Sequence, residues 1–331
     1  MVRMEIFDNQ IPVFGQADDR TLNQIRVCAR TADRVALMPD NHLGYGVPIG
    51  GVVAYKNAIS PTGVGYDIGC GNKAVRVDMP GAELRAGIAR IMDDVWSTIS
   101  FGVGQRNCEK VDHALFDDEA WKLKSISSLK EMARNQLGTV GSGNHYVDLF
   151  TDEEDRVWIG VHFGSRGLGH KTATHFLKAA GASDGMDVEP CVLPTDSDLG
   201  AEYLETMRLA GDYAYAGRDW VCGRVAQMLE RRLSKRYITI TTTPGARCTK
   251  ASSCGLYARA RRRPSRANSD LSAARWASGR SFSQESKTSM PVIRSIPPCT
   301  ARVVRWAVAR RQALSIARPE RSSELARSRQ R

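Results

Sequence analysis

Histidine runs out early in this chain. Of 331 residues only six are His, at positions 42, 113, 145, 162, 170 and 175. Any chemistry that needs an imidazole must therefore come from the residues up to His175. Paired cysteines are missing too: the eight Cys include no C-x-x-C spacing, which argues against a zinc ribbon and fits a reducing cytoplasm better than a disulfide scaffold. Cys248 and Cys254 lack the second pair or the later His that a zinc knuckle requires. No run of about 18 apolar residues occurs and no apolar segment follows Met1, so neither a membrane span nor a signal peptide is expected. No G-x-G-x-x-G opens a helix after a strand, which removes the usual signal of a doubly wound nucleotide fold.

Acidic residues are nearly absent from one end only. The 47 Lys and Arg against 36 Asp and Glu suggest a basic, polyanion-binding protein. However, residues 241–331 hold 20 basic and 4 acidic groups, a net of +16, while residues 1–240 hold 27 and 32, a net of −5. The positive charge belongs to the tail, and global basicity is no argument for RNA binding by the rest.

Short apolar runs bounded by Gly and Pro predict strands at Val35–Met38, Val47–Tyr55, Ala74–Val77, Tyr146–Phe150 and Val157–Val161. Leu84, Ile88, Ile91 and Val95 recur at helical spacing and predict a helix over 82–97, and a helical pair is expected over about 200–234. Helices and strands alternate irregularly, which reads as α+β. From about 238 onward the composition turns to Arg, Ser, Ala and Pro without periodicity, and disorder is the expectation there.

The chemistry gathers in three glycine-rich stretches. Val64-Gly65-Tyr66-Asp67-Ile68-Gly69-Cys70-Gly71-Asn72 carries a carboxylate and a thiol three residues apart. Gly141-Ser142-Gly143-Asn144-His145 and His162-Phe163-Gly164-Ser165-Arg166-Gly167 each carry an imidazole. So much Gly points to tight turns whose backbone approaches something closely. Asp67, Cys70, His145 and His162 together make a plausible metal centre, and thiolate with imidazole by itself favours zinc. Arg166 is a candidate clamp for a phosphate, because its planar fork binds oxygens in pairs. His42 receives no definite role. His113, His170 and His175 are expected on the surface or in packing.

The segments MPDNHLGYGVPIGG, VGYDIGCGN, GTVGSGNHYVDLF and VHFGSRGLGH, in this order, resemble the RtcB family of RNA-splicing ligases over roughly residues 1–237. The resemblance implies a mixed-sheet RtcB-like fold with a single catalytic domain, incomplete here at 1–237, and an out-of-frame, disordered tail at 238–331. It implies two Mn2+ ions rather than zinc, held by Asp67, Cys70, His145 and His162, and GTP as co-substrate, contacted by Asn144, His145, Tyr146, Val147 and Asp148. Asp148 stands where relatives commonly carry Glu. The implied reaction attaches GMP to a histidine and passes it to an RNA 3′-phosphate, opened where needed from a 2′,3′-cyclic phosphate. A 5′-hydroxyl then displaces GMP. Arg166 would hold an RNA phosphate, and an archease-like activator is the protein partner that the resemblance suggests.

Three further family segments are missing: H-N-H-H-N, G-F-V-G-G-S-M-G and Y-S-T-V-H-G-A-G-R. Joining the third base of each codon to the first two of the next recovers them. Ile238-Thr239-Ile240-Thr241-Thr242-Thr243, written ATC ACA ATC ACC ACA ACN, becomes H-N-H-H-N. Ser269–Ala277 and Ser295–Val304 yield the other two at the same shift. This predicts a frameshift near 230–238. The guanylylated histidine of the family would have its codon across those of Cys299 and Thr300, so this chain carries no catalytic histidine and its activity is expected to be impaired. The alternatives are an inactive product with part of a metal site, and a nucleic-acid-binding protein that works through its basic tail.

Overall fold

The structure, a computed structural model, describes residues 4–230 apart from Asn9, Asp184 and Asp187, and four backbone strands between 233 and 262. Two compact units divide the chain, Met1–Glu285 and Ser286–Arg331, and all described residues belong to the first. The order begins β1 (Met4–Phe7), β2 (Ile11–Phe14), α1 (Asp19–Cys28), β3 (Arg34–His42), β4 (Ile49–Lys56), β5 (Ala58–Ile59), α2 (Pro61–Val64), β6 (Gly71–Pro80) and α3 (Gly81–Thr98). After short 3-10 turns come α4 (Lys130–Gln136), β7 (Tyr146–Thr151), β8 (Arg156–Phe163), α5 (Arg166–Ala179), β9 (Leu193–Pro194) and α6 (Asp198–Met228). The last strands are β10 (Leu233–Thr241), β11 (Gly245–Thr249), β12 (Ser252–Ala258) and β13 (Arg261–Arg262).

One sheet runs β1-β2-β3-β4-β12-β11, a second runs β13-β10-β6-β8-β7, and β5 pairs with β9. β2 and β3 are parallel while the other pairs are antiparallel, so the architecture is a mixed-sheet α+β fold. Each large sheet has its own core. Ile11, Ile25, Leu37, Phe176, Tyr203 and Leu209 are among the buried residues of the first, and Val75, Leu84, Val95, Ile159, Val161 and Val225 are among those of the second.

α6 serves both cores, with Tyr203, Leu209 and Tyr213 in one and Val221, Cys222 and Val225 in the other. It is a single helix of 31 residues, about 46 Å long at 1.5 Å per residue, where the sequence suggested a helical pair. Its glycines each cost about 1 kcal/mol relative to Ala, yet no proline interrupts it. At Gly217 the Phe163 ring lies only 3.2 Å from where a Cβ would stand, so the glycine permits close packing on β8.

The expected domain boundary at 237 falls inside β10. Tyr237, Ile238, Thr239, Ile240 and Thr241 pair with Val75, Ala74, Lys73, Asn72 and Gly71, and β12 pairs with β4. The Ile-Thr run of β10 is β-branched and suits a pleated neighbour. Apart from these strands, the expected tail lies outside the described residues.

Candidate metal centre

The register of three strands builds the floor of the site. His162 on β8 stands opposite Tyr146 on β7 and opposite Asn72 on β6, so the three side chains form one row across the sheet. Asn72 Oδ1 accepts from the Tyr146 hydroxyl at 2.8 Å and lies 2.9 Å from His162 Nδ1. Both neighbours can donate only if the Asn72 oxygen faces them, which puts the His162 proton on Nδ1 and leaves Nε2 as a lone pair. That nitrogen lies 3.5 Å from Cys70 Sγ and 3.4 Å from Asn144 Nδ2. Burial pulls His162 down to about 4, with the charges of His145 and Arg218 also lowering it against Asp67, so its ring is neutral at pH 7.

His145 approaches from the loop before β7. Its Nδ1 lies 3.0 Å from the Val140 carbonyl and 3.4 Å from Arg166 Nη1, and its Nε2 lies 3.0 Å from Asp67 Oδ2 and 3.8 Å from Cys70 Sγ. A proton on Nε2 is donated to the Asp67 carboxylate, and without it the Nε2 lone pair faces the same place and can take a cation. One ligand atom from each of Asp67, Cys70 and His145 lies within 4.8 Å of the others. This triad can hold a metal ion, with thiolate, imidazole and carboxylate as donors. Cys70 is the side chain common to both imidazoles.

The carboxylate is prepared for its place. Burial would raise the Asp67 carboxyl, but hydrogen bonds from His145 and Cys70 and the charges of His145 and Arg166 outweigh it, and it stays below its ordinary value. The Arg166 amide at the start of α5 donates to Asp67 Oδ1 at 3.3 Å, and a helix N-terminus favours a negative group. A Cβ on Gly164 would meet Asp67 at 2.5 Å, so the turn before α5 has no room for a side chain.

The glycine-rich stretch around Arg166 is a turn only as far as Ser165, because α5 begins at Arg166 itself. Arg166 adopts a φ of +58°, the left-handed region that a bulky residue enters at a cost of about 1 kcal/mol. Its guanidinium folds back across Gly141, where a Cβ would meet it at 2.4 Å, and reaches Thr139 Oγ1 and the Gly102 carbonyl, both at 3.4 Å. It is therefore half-buried and engaged within the protein. Asn144 is exposed, and Gly143 beside it has nothing within 4 Å of a Cβ. Tyr146 and Asp148 share a face of β7, whereas Val147, 2% exposed, points into the core and offers a ligand only its backbone.

The other histidines sit where packing explains them. His113 Nδ1 accepts from the Leu115 amide as a cap, His170 stacks on Tyr66 at 4.9 Å, and His175 lies edge-on to Phe176. His42 Nδ1 lies 2.9 Å from the Asp40 carbonyl. Asn72, Val140 and Arg218 join the site only in the structure. Asn72 alone had a signal, since it closes the Asp67–Cys70 stretch, while the other two act through contacts made only by the fold.

A family model described as tRNA-splicing ligase RtcB matches residues 22–127 and 117–247. The chain belongs to the RtcB family. The matched region contains the whole cluster around Cys70 and continues past 237 into β11. The tRNA-splicing ligase RtcB of Thermococcus kodakarensis is 30% identical over 305 residues, covering 71% of this chain and 63% of that protein. That of Nanoarchaeum equitans is 29% identical over 72% of this chain and 61% of its own. The RNA-splicing ligase RtcB of Escherichia coli K12 is 29% identical over 69% and 60%. The chain thus spans about three-fifths of the length of these RtcB relatives. No described helix is long and apolar enough to cross a membrane.

Proposed function

We propose that this chain carries the metal-binding half of a GTP-dependent RNA ligase that joins a 3′-phosphate or 2′,3′-cyclic phosphate end to a 5′-hydroxyl end, in tRNA splicing or RNA repair. The observation that supports the reading is the triad Asp67, Cys70 and His145, with the Nε2 of His162, which lies outside that triad, 3.5 Å from the same thiol. The names of the relatives support an RNA-ligase role. Two Mn2+ ions are the metals that the resemblance suggests, although the thiol and imidazoles by themselves suit zinc better. When bound there, they would act as Lewis acids toward phosphate oxygens.

The chain's own residues would do the rest. Asp67 and His145 would hold one side of the centre, His162 the other, with Cys70 between them. The exposed Asn144 would donate to nucleotide phosphates, with the backbone of His145, Tyr146 and Val147 and the carboxylate of Asp148 beside it. Arg166, once released from Gly102 and Thr139, would take an RNA phosphate in its fork. An archease-like activator remains part of the proposal as a partner.

The chain as it stands would not complete the reaction. Its histidines end at His175, and the family nucleophile is recovered only in the shifted frame. β10 lends this support: Thr239, Ile240 and Thr241, where the shift restores H-N-H-H-N, run beside Lys73, Asn72 and Gly71, next to Cys70. A restored imidazole ligand would therefore stand at the edge of the centre. The test is incubation with radiolabelled GTP and Mn2+, followed by denaturing electrophoresis. The chain should retain no label, and a frame-restored version should form a histidine–GMP adduct and ligate RNA. Labelling of the present chain would overturn the frameshift reading, and an unlabelled restored protein would overturn the ligase reading.

A further inference from the structure

Arg218 is the largest fully buried side chain among the described residues, with no exposed surface. It projects from α6 beneath the cluster around Cys70. Its Nη1 donates to the Gly69 carbonyl at 2.7 Å and to the Phe163 carbonyl at 2.6 Å. Gly69 lies between Asp67 and Cys70, and Phe163 follows His162. One nitrogen thus ties together the two backbone segments that carry three of the four candidate ligands. Its Cζ stands 4.9 Å from the centre of the Tyr215 ring.

The rest of the guanidinium has no hydrogen-bonding partner: Nε and Nη2 are buried and unsatisfied among the described residues. Among the described residues no carboxylate makes an ion pair with it. The neighbouring Asp219 is engaged by Lys73 instead. Burial lowers Arg218 from its ordinary value, and the groups that oppose this are Tyr215, Cys70, Asp219 and Asp67. A buried charge without a dedicated partner costs several kcal/mol. A neutral donor could reach the same carbonyls without that cost, so bracing alone does not account for a guanidinium. The positive charge also acts on Cys70 and Asp67 in the direction that favours their ionised forms.

We propose that Arg218 is a positioning residue that keeps the Asp67–Cys70 turn and the His162 end of β8 in metal-ready geometry before any ion binds. It acts through the carbonyls of Gly69 and Phe163. The inference rests on the metal-centre reading above, and the experiment separates the two. Cobalt(II) is titrated into the full chain and into R218M and R218K, following the thiolate-to-cobalt absorption. Hydrogen exchange of the metal-free and cobalt-loaded proteins is measured alongside.

R218M should bind cobalt about tenfold or more weakly, as supporting residues of metal sites do, with the absorption spectrum unchanged in shape. R218K keeps the charge and one donor and should recover to within about threefold of the parent. In metal-free R218M, lost amide protection should be confined to residues near Gly69 and Phe163 and should return on loading. Equal cobalt affinity in R218M and the parent overturns the inference, as does an equal loss in R218K. Loss of protection throughout both cores, or failure of R218M to fold, also overturns it, because Arg218 would then be a core residue only. A parent chain that binds no cobalt removes the metal-centre reading itself, and this inference with it.

Discussion

Cys70 is placed where both imidazoles meet, 3.8 Å from His145 and 3.5 Å from His162, and it is the softest donor of the set. Replacing it with Ala should therefore do more harm to metal binding than any other single change in the cluster. Cys70→Ala is expected to abolish the thiolate-to-cobalt band and to weaken cobalt binding about a hundredfold. Its thermal midpoint without metal should move little, since a half-buried thiol contributes modestly to packing. A C70A protein that retains the near-ultraviolet band would remove Cys70 from the ligand set. The glycines around these ligands made them legible in sequence: Gly164 and Gly141 stand where a Cβ would strike Asp67 and Arg166. Asn72, Val140 and Arg218 hide in the sequence because their roles depend on register, a backbone carbonyl and a helix packed from far along the chain.

The hairpin of β7 and β8 carries His162 and follows His145 directly, and one turn residue holds it. Asp152 accepts from Trp158 Nε1 at 2.8 Å, from the Arg156 amide at 2.9 Å, from Arg156 Nε at 2.7 Å and from the Glu154 amide at 3.1 Å. Burial would raise its carboxyl, but the hydrogen bonds from Trp158 and Arg156 and the Arg156 charge outweigh it and set it below its ordinary value. A carboxyl lowered by folding stabilises the native state above its unfolded pKa, and this is lost as pH falls through the folded one. Asp152→Asn should cost about 1–2 kcal/mol in urea unfolding at pH 7, with the difference from the parent shrinking once pH drops well below about 3.8. A difference independent of pH would mean that the charge is not what matters. At this scale the predicted strands agree with β3, β4, β6, β7 and β8, because buried strands announce themselves as apolar runs. A single α6 stands where a helical pair is expected, and the close packing of Phe163 on Gly217 is a contact that only the fold makes.

Charge is divided along the whole molecule in a way that lets its two possible contacts with RNA be told apart. Residues 286–331 hold ten Arg and one Lys against Glu320 and Glu324, a net of +9, so residues 1–285 retain only +2. Binding driven by such a segment releases counterions from the phosphate backbone and falls steeply with salt, without regard to sequence or to the chemistry of the ends. Recognition by the centre around Cys70 would instead depend on the terminal phosphate and on metal. Filter binding of short RNAs with a 3′-phosphate or a 3′-hydroxyl should therefore give two separable components. The full chain should bind both RNAs equally at low salt, and the interaction should weaken by an order of magnitude or more between about 50 and 200 mM salt. A chain ending at Glu285 should lose most of that component, while any preference for the 3′-phosphate end should be unchanged and should disappear in C70A or with a chelator. If removal of 286–331 left low-salt binding intact, residues 1–285, with a net charge of only +2, would have to contain a phosphate-binding surface of their own. If it also erased the end preference, RNA recognition would belong to the tail, and the protein would be better described as a nucleic-acid-binding chain than as part of a ligase.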